Sequence, residues 1–162
     1  MRRLALPLTF ASLLLAACAP LPLAPGSGTE MLLREWGQPT ARYALPEGGT
    51  RLEYATGPYG RTTWMVDVDG AGRVVRSRQV LTEAEFLALQ SASGLTRAAL
   101  RRWIGTPGER RHGGRPGGEV WSWRYPTNDC LWFQASVADD GTVTGASYGI
   151  DPRCDGPNER SK

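Results

Sequence analysis

Ala99-Leu-Arg-Arg-Trp103-Ile104-Gly105-Thr-Pro107 has a counterpart 68 residues earlier, Met31-Leu-Leu-Arg-Glu-Trp36-Gly37-Gln-Pro39, with Leu32, Gly37 and Pro39 aligned to Leu100, Gly105 and Pro107. Both stretches read as the end of a helix. A glycine just past the last turn adopts a left-handed backbone without steric cost, and a proline two residues later prevents the helix from continuing.

Outward from these stops, the alignment continues with the offset lengthened by one. Leu52, Tyr54, Trp64, Val66, Val68, Gly72 and Val74 align with Trp121, Trp123, Phe133, Ala135, Val137, Gly141 and Val143. The apolar residues alternate with period two, so in each copy they share one sheet face, the one expected to pack on helices. Asp67-Val-Asp-Gly-Ala-Gly72 and Asp139-Asp-Gly141 carry the turn residues of antiparallel hairpins. Between the copies, Leu81-Thr82-Glu-Ala-Glu85-Phe86-Leu87-Ala-Leu89 reads as a helix, with Thr82 as N-cap and Glu85 three positions on, a capping box. A second start signal stands at Thr96. The expected fold is therefore α+β: two tandem helix-plus-three-strand repeats, at 30–80 and 96–154, joined by a connecting helix in 81–95. The antiparallel sheet carries its helices on one face.

The two ends differ in kind. Arg2 and Arg3, the apolar run Leu4 to Leu15 and then Leu15-Ala16-Ala17-Cys18 read as an export signal, 1–17, cut before Cys18. Leu-Ala-Ala-Cys is similar to a lipobox, which implies acylation of Cys18. Three acyl chains at about 0.8 kcal/mol per buried methylene make such an anchor effectively permanent. Alanine at 19 implies, by resemblance to bacterial sorting rules, an outer-membrane location facing the periplasm. Residues 18–29 mix Pro with Gly and Ser and read as an extended tether, and 155–162 as a polar tail. Removing Arg2 and Arg3 lowers the formal charge from +3 to +1, and 18 of the 19 basic residues are arginine, which gives no phosphate-binding stripe for nucleic acid. With Cys18 used for lipid, Cys130 and Cys154 remain as an even pair in an oxidising compartment, where a disulfide is the expectation.

The helix with its Gly-x-Pro stop, the aromatic strand Glu119-Val-Trp-Ser-Trp-Arg-Tyr125, and then Cys130-Leu-Trp-Phe-Gln-Ala-Ser-Val137 resemble the small lipoprotein fold of the BamE (SmpA/OmlA) family. A tandem of this unit is also similar to the beta-lactamase inhibitor protein architecture. The resemblance covers roughly residues 30 to 150. It implies a non-catalytic accessory that binds envelope proteins in outer-membrane barrel assembly. The inhibitor likeness implies, as the alternative, a domain that grips an exported enzyme. The BamE unit occurs once in that family and twice here.

Catalytic constellations are thin. His112 is the single histidine, and it stands in the Gly-rich stretch Gly108 to Gly118, read as a hairpin loop in which nothing would fix a tautomer. That stretch lacks the Gly-Lys-Ser/Thr ending of a phosphate loop. Its Arg110, Arg111 and Arg115 are candidates for contact with lipid head groups or an acidic partner. Asp67, Asp69 and Gly70 lack the further oxygen ligands of a calcium loop, and Cys130 as nucleophile yields to the disulfide. No metal, cofactor or reaction is expected. Five of the six tryptophans, Trp36, Trp64, Trp103, Trp121 and Trp123, fall on core positions. Trp132 alternates with Phe133 and is expected on the open sheet face with Ser122, Arg124 and Gln134, as the partner-binding surface.

Overall fold

The computed structural model of the 162-residue chain describes residues 24–57, 60–113, 117–128, 130–151 and 154. Cys18, the first half of the tether, Arg115 and the tail 155–162 lie outside the described residues.

The elements run α1 (Thr29–Trp36), β1 (Ala41–Ala44), β2 (Thr50–Ala55), β3 (Thr63–Val68), β4 (Val74–Gln79), α2 (Glu83–Ser91), α3 (Arg97–Ile104), β5 (Glu109–His112), β6 (Glu119–Arg124), β7 (Leu131–Val137) and β8 (Val143–Ile150). The fold is α+β, with two four-stranded antiparallel sheets ordered β1-β2-β3-β4 and β5-β6-β7-β8. The period-two signal predicts three strands per sheet, and the structure adds a fourth to each, β1 and β5. Both are four residues long and carry arginine, so they give no alternation to read. Backbone pairing to the aromatic or aliphatic neighbour makes them strands, with Arg42 opposite Leu52 and Arg110 opposite Trp121. β5 thereby takes the first part of the stretch read as a Gly-rich loop, and His112 sits on it, exposed and opposite Glu119.

Local signals account for the helix boundaries. The Thr82 and Thr96 hydroxyls accept from the N–H groups of Glu85 at 3.3 Å and Ala99 at 3.2 Å, satisfying donors that the first turn leaves without intrahelical partners. At the other ends Gly37 and Gly105 have φ of 75° and 88°, but ψ of −159° and −171°. This is not the left-handed helical cap that the Gly-x-Pro stop suggested. It is an extended conformation with positive φ that is essentially restricted to glycine, so the requirement at these positions is stricter. In the hairpin between β3 and β4, the Asp69 carboxylate accepts from the N–H groups of Ala71 and Arg73 at 2.9 and 2.8 Å, which is turn chemistry.

Two cores result. The first gathers Leu32 of α1 with Leu52, Tyr54, Val66, Val68 and Val74, flanked by Trp36 and Trp64. The second gathers Phe86, Leu89, Leu100 and Ile104 of α2 and α3 with Trp121, Trp123, Phe133, Ala135 and Val137. Each side chain so buried contributes about 1.5–3 kcal/mol over leaving it exposed. The aromatic and aliphatic residues chosen by alternation are thus the ones that face helices. Met65, however, belongs to the second core, although it alternates with Val66 of the first. The first sheet is therefore covered on both faces, by α1 on one and by α2 and α3 on the other. For the first sheet the expectation of helices on a single face is not borne out: its reverse side holds Met65, Thr63 and Glu53, which are 1%, 3% and 0% exposed and so lie under a cover of their own.

Candidate functional surfaces

The four residues expected to form an open contact face do come together, but Trp132 and Ser122 are buried and Arg124 and Gln134 half-buried. Ser122 pairs with Gln134 and Arg124 with Trp132 across β6 and β7, and Gln134 Nε2 donates to Ser122 Oγ at 3.1 Å. Trp132 is 1% exposed and Ser122 likewise 1%. The Arg124 guanidinium lies 5.6 Å over the Trp132 ring and ion-pairs with Asp151, itself 1% exposed. The disulfide joining Cys130 and Cys154, with Cα atoms 5.6 Å apart, ties the chain just beyond Asp151 back to the start of β7. Trp132 is accordingly a packing residue and not a contact surface. Alternation assigned its face correctly, but exposure depends on what returns over that face, and Arg124 with Asp151 closes it.

A second buried polar cluster joins the first sheet to α3 and the loop after it, and has no counterpart in the sequence reading. Glu53, at the centre of β2, is 0% exposed. Its carboxylate accepts from Tyr43 Oη at 2.5 Å, from the Thr106 N–H at 3.1 Å, and from the hydroxyls of Thr40 and Thr106 at 3.2 and 3.3 Å. Burial, and then the neighbouring Glu53 carboxylate, push the Tyr43 phenol up to about 12. Beside it Arg51 donates twice to Asp67, at 2.6 and 2.8 Å, and once to the carbonyl of Arg102 at 2.8 Å. Trp103 Nε1 donates to Glu85 at 2.5 Å, and Glu85 also pairs with Arg78. With its acceptor positions filled by protein donors and no exposure, Glu53 is suited to joining the two halves and not to moving protons. The signal for it was a lone Glu between Leu52 and Tyr54, an acidic residue at mid-strand.

Two further surfaces are open among the described residues. The first is a cationic cleft beside Trp121. Arg97 and Arg110 place their guanidinium groups 6.0 and 5.9 Å from the Trp121 ring, and Arg101 lies 5.8 Å over Tyr43. Trp121 Nε1 donates to Glu119 at 2.7 Å, and that bond, ahead of other causes, holds the Glu119 carboxyl below its ordinary range. The second is the outer edge of β8. The Asp151 N–H bonds the Cys130 carbonyl, so the antiparallel alternation puts the bonded pairs at Trp132–Gly149 and Gln134–Ser147. The backbone groups of Ala146, Tyr148 and Ile150 then point away from β7. In agreement, the Ala146 carbonyl accepts from Gln90 Nε2 of α2 at 3.5 Å. Along this edge Leu87, Tyr148 and Ile150 are 51%, 36% and 64% exposed.

Among the described residues no group of three His, Cys, Asp or Glu side chains is placed to hold a metal ion, and no helix is long and apolar enough to cross a membrane. No family model, no curated protein and no solved structure matches the chain.

Proposed function

We propose that the chain is a non-catalytic outer-membrane lipoprotein, anchored through Cys18 and facing the periplasm, that binds envelope proteins during barrel-protein assembly. We read it as a tandem of one BamE-like unit. In support, both sheets are meanders, equivalent residues pair (Leu52 with Val66, Trp121 with Ala135), and both carry a register shift at the matching place, Asp67/Val68 and Ser136/Val137.

The observation that carries the binding role is the edge of β8. A strand edge with outward N–H and C=O groups, flanked on one side by Leu87, Tyr148 and Ile150 and on the other by Gly145, Ser147 and Gly149, is a template for adding an extended segment with alternating apolar residues. An incompletely folded barrel strand has that pattern. The experiment is a crosslinked pull-down from intact envelopes, comparing the wild-type chain with Ile150→Pro. This substitution removes an outward N–H and leaves the bonds to β7 in place. Recovery of barrel-assembly components or barrel proteins that disappears in the variant supports the reading. Recovery of one soluble periplasmic enzyme instead favours the inhibitor alternative, and equal recovery with the variant rejects the β8 edge. Fractionation of Cys18→Ser tests the anchor, which fails if the variant stays with the membrane.

A further inference from the structure

The cleft beside Trp121 is separate from the edge of β8. Two cavities of 310 and 440 Å³ adjoin through a shared wall, Arg101. They run from the start of α3 and the β7–β8 turn to Pro107 and β5, the edge strand of the second sheet. The guanidinium groups of Arg97 and Arg110 lie 6.0 and 5.9 Å from the Trp121 ring and that of Arg101 5.8 Å from Tyr43. Arg97 donates one N–H to the Ala138 carbonyl at 3.3 Å and Arg101 one to Thr106 Oγ1 at 3.2 Å, and the further N–H groups of such planar forks match a planar carboxylate. None of the three forms an ion pair among the described residues. The Nε atoms of Arg97 and Arg101 are buried without any hydrogen-bond partner, an unfavourable state that an oxyanion would relieve.

We propose that this cleft, walled by Arg97, Arg101, Arg110 and Trp121, binds one carboxylate side chain of an extended protein segment. Charge selects the ligand class. The two cavities are lined by Arg97, Arg101 and Arg110 against Glu109 and Asp140, a surplus of a single positive charge. That surplus suits a monoanion and opposes a phosphate dianion or a densely anionic lipid surface. The elongated shape, bounded by an edge strand, suits a polypeptide better than a compact anion.

The test is a titration of the full chain in detergent micelles, followed by the ¹⁵N signals of Trp121 Nε1–H and of the Arg97 and Arg101 Nε–H groups. The probes are the peptide Ala-Glu-Tyr-Ala-Asp-Ala, its Gln/Asn counterpart, inorganic phosphate and phosphatidylglycerol vesicles. The acidic peptide is expected to move these signals saturably. Its affinity should fall about tenfold in Arg110→Gln, the loss of one charge-assisted contact, and stay unchanged in Arg42→Gln, at the matching place on β1. The proposal is overturned by equal binding of the neutral peptide, by shifts with phosphate or vesicles but not the peptide, or by no shift at all. Because the purified chain is read directly, any of these outcomes leaves the envelope pull-down and the β8 edge untouched.

Discussion

The reverse faces of the two sheets, the sides away from their own aromatic rows, are built from matching positions and end in different states. On the first sheet, Tyr43, Arg51, Glu53, Met65 and Asp67 lie beneath α2, α3 and the loop at Thr106, and their charges are consumed in bonds across that junction. On the second sheet, the aligned positions hold Arg111, Val120, Ser122, Gln134 and Ser136. Here only the end near Asp151 is closed, while Ser136 and Arg111 are exposed. One sheet thus spends its reverse face on joining the halves, and the other keeps part of it in solvent. The lesson is that a shared strand pattern sets which residues share a face, and that the neighbour brought by the rest of the chain sets whether that face is buried.

The largest effect that would sharpen this contrast is at Trp132. Trp132→Ala should destabilise the protein by about 4 kcal/mol in urea unfolding, as emptying a large core site does, against about 1 kcal/mol for Thr63→Ser at the aligned position of the first sheet. A small loss at Trp132 would mean that its face is open after all. Next is the junction itself. Glu53→Ala leaves the Tyr43 hydroxyl and the Thr106 N–H without their buried acceptor, with an expected loss of about 3 kcal/mol, whereas Ser122→Ala removes one bond, for about 1 kcal/mol. Equal losses at the two positions would erase the distinction between the faces.

The paired helix stops give a smaller difference. Gly37→Ala and Gly105→Ala both meet an unfavourable backbone, at about 1–3 kcal/mol. At Gly105 the added Cβ would also stand 3.0 Å from Thr63 Cγ2 and 3.1 Å from the Glu53 carboxyl carbon, while at Gly37 nothing lies within 4 Å. Gly105→Ala should therefore be the more harmful by roughly 1 kcal/mol, and a reversed order of denaturation midpoints would contradict the junction geometry. The smallest effect is alkaline. The Tyr43 phenol, raised from 10.0 to about 12, keeps its proton in the folded chain after the unfolded chain has lost its own. The stability contributed by that proton is intact below pH 10 and is lost as pH rises through the folded value. Tyr43→Phe should flatten the fall in stability over this window, and an unchanged slope would show that the Glu53 contact does not act on Tyr43.

Much of the architecture was legible because it rests on local rules. The capping threonines at 82 and 96, the glycine stops at 37 and 105, and the rows through Leu52, Val66, Trp121 and Phe133 are each dictated by backbone sterics or by period two. β1 and β5 were not legible, since four-residue strands bearing arginine exist only through the neighbour they pair with. The cleft was half legible: Arg110 drew notice as a charge, but Trp121 as its stacking surface, and Arg97 and Arg101 as its companions, depend on α3 lying beside β5. Glu53 stood in plain view, and nothing local said that Thr106, 53 residues away, would supply its partner.

By itself, then, the sequence determined the helix limits, the six longer strands and which of their side chains share a sheet face, because steric preference and side-chain period act between residues near in the chain. The tertiary structure alone decided that Trp132 is enclosed, that Glu53 ties the first sheet to the loop after α3, and that Arg97 and Arg110 gather at Trp121 with Arg101 beside them. Each of these outcomes follows from surfaces meeting across long sequence separations, where burial and the search of polar groups for partners outweigh any local pattern.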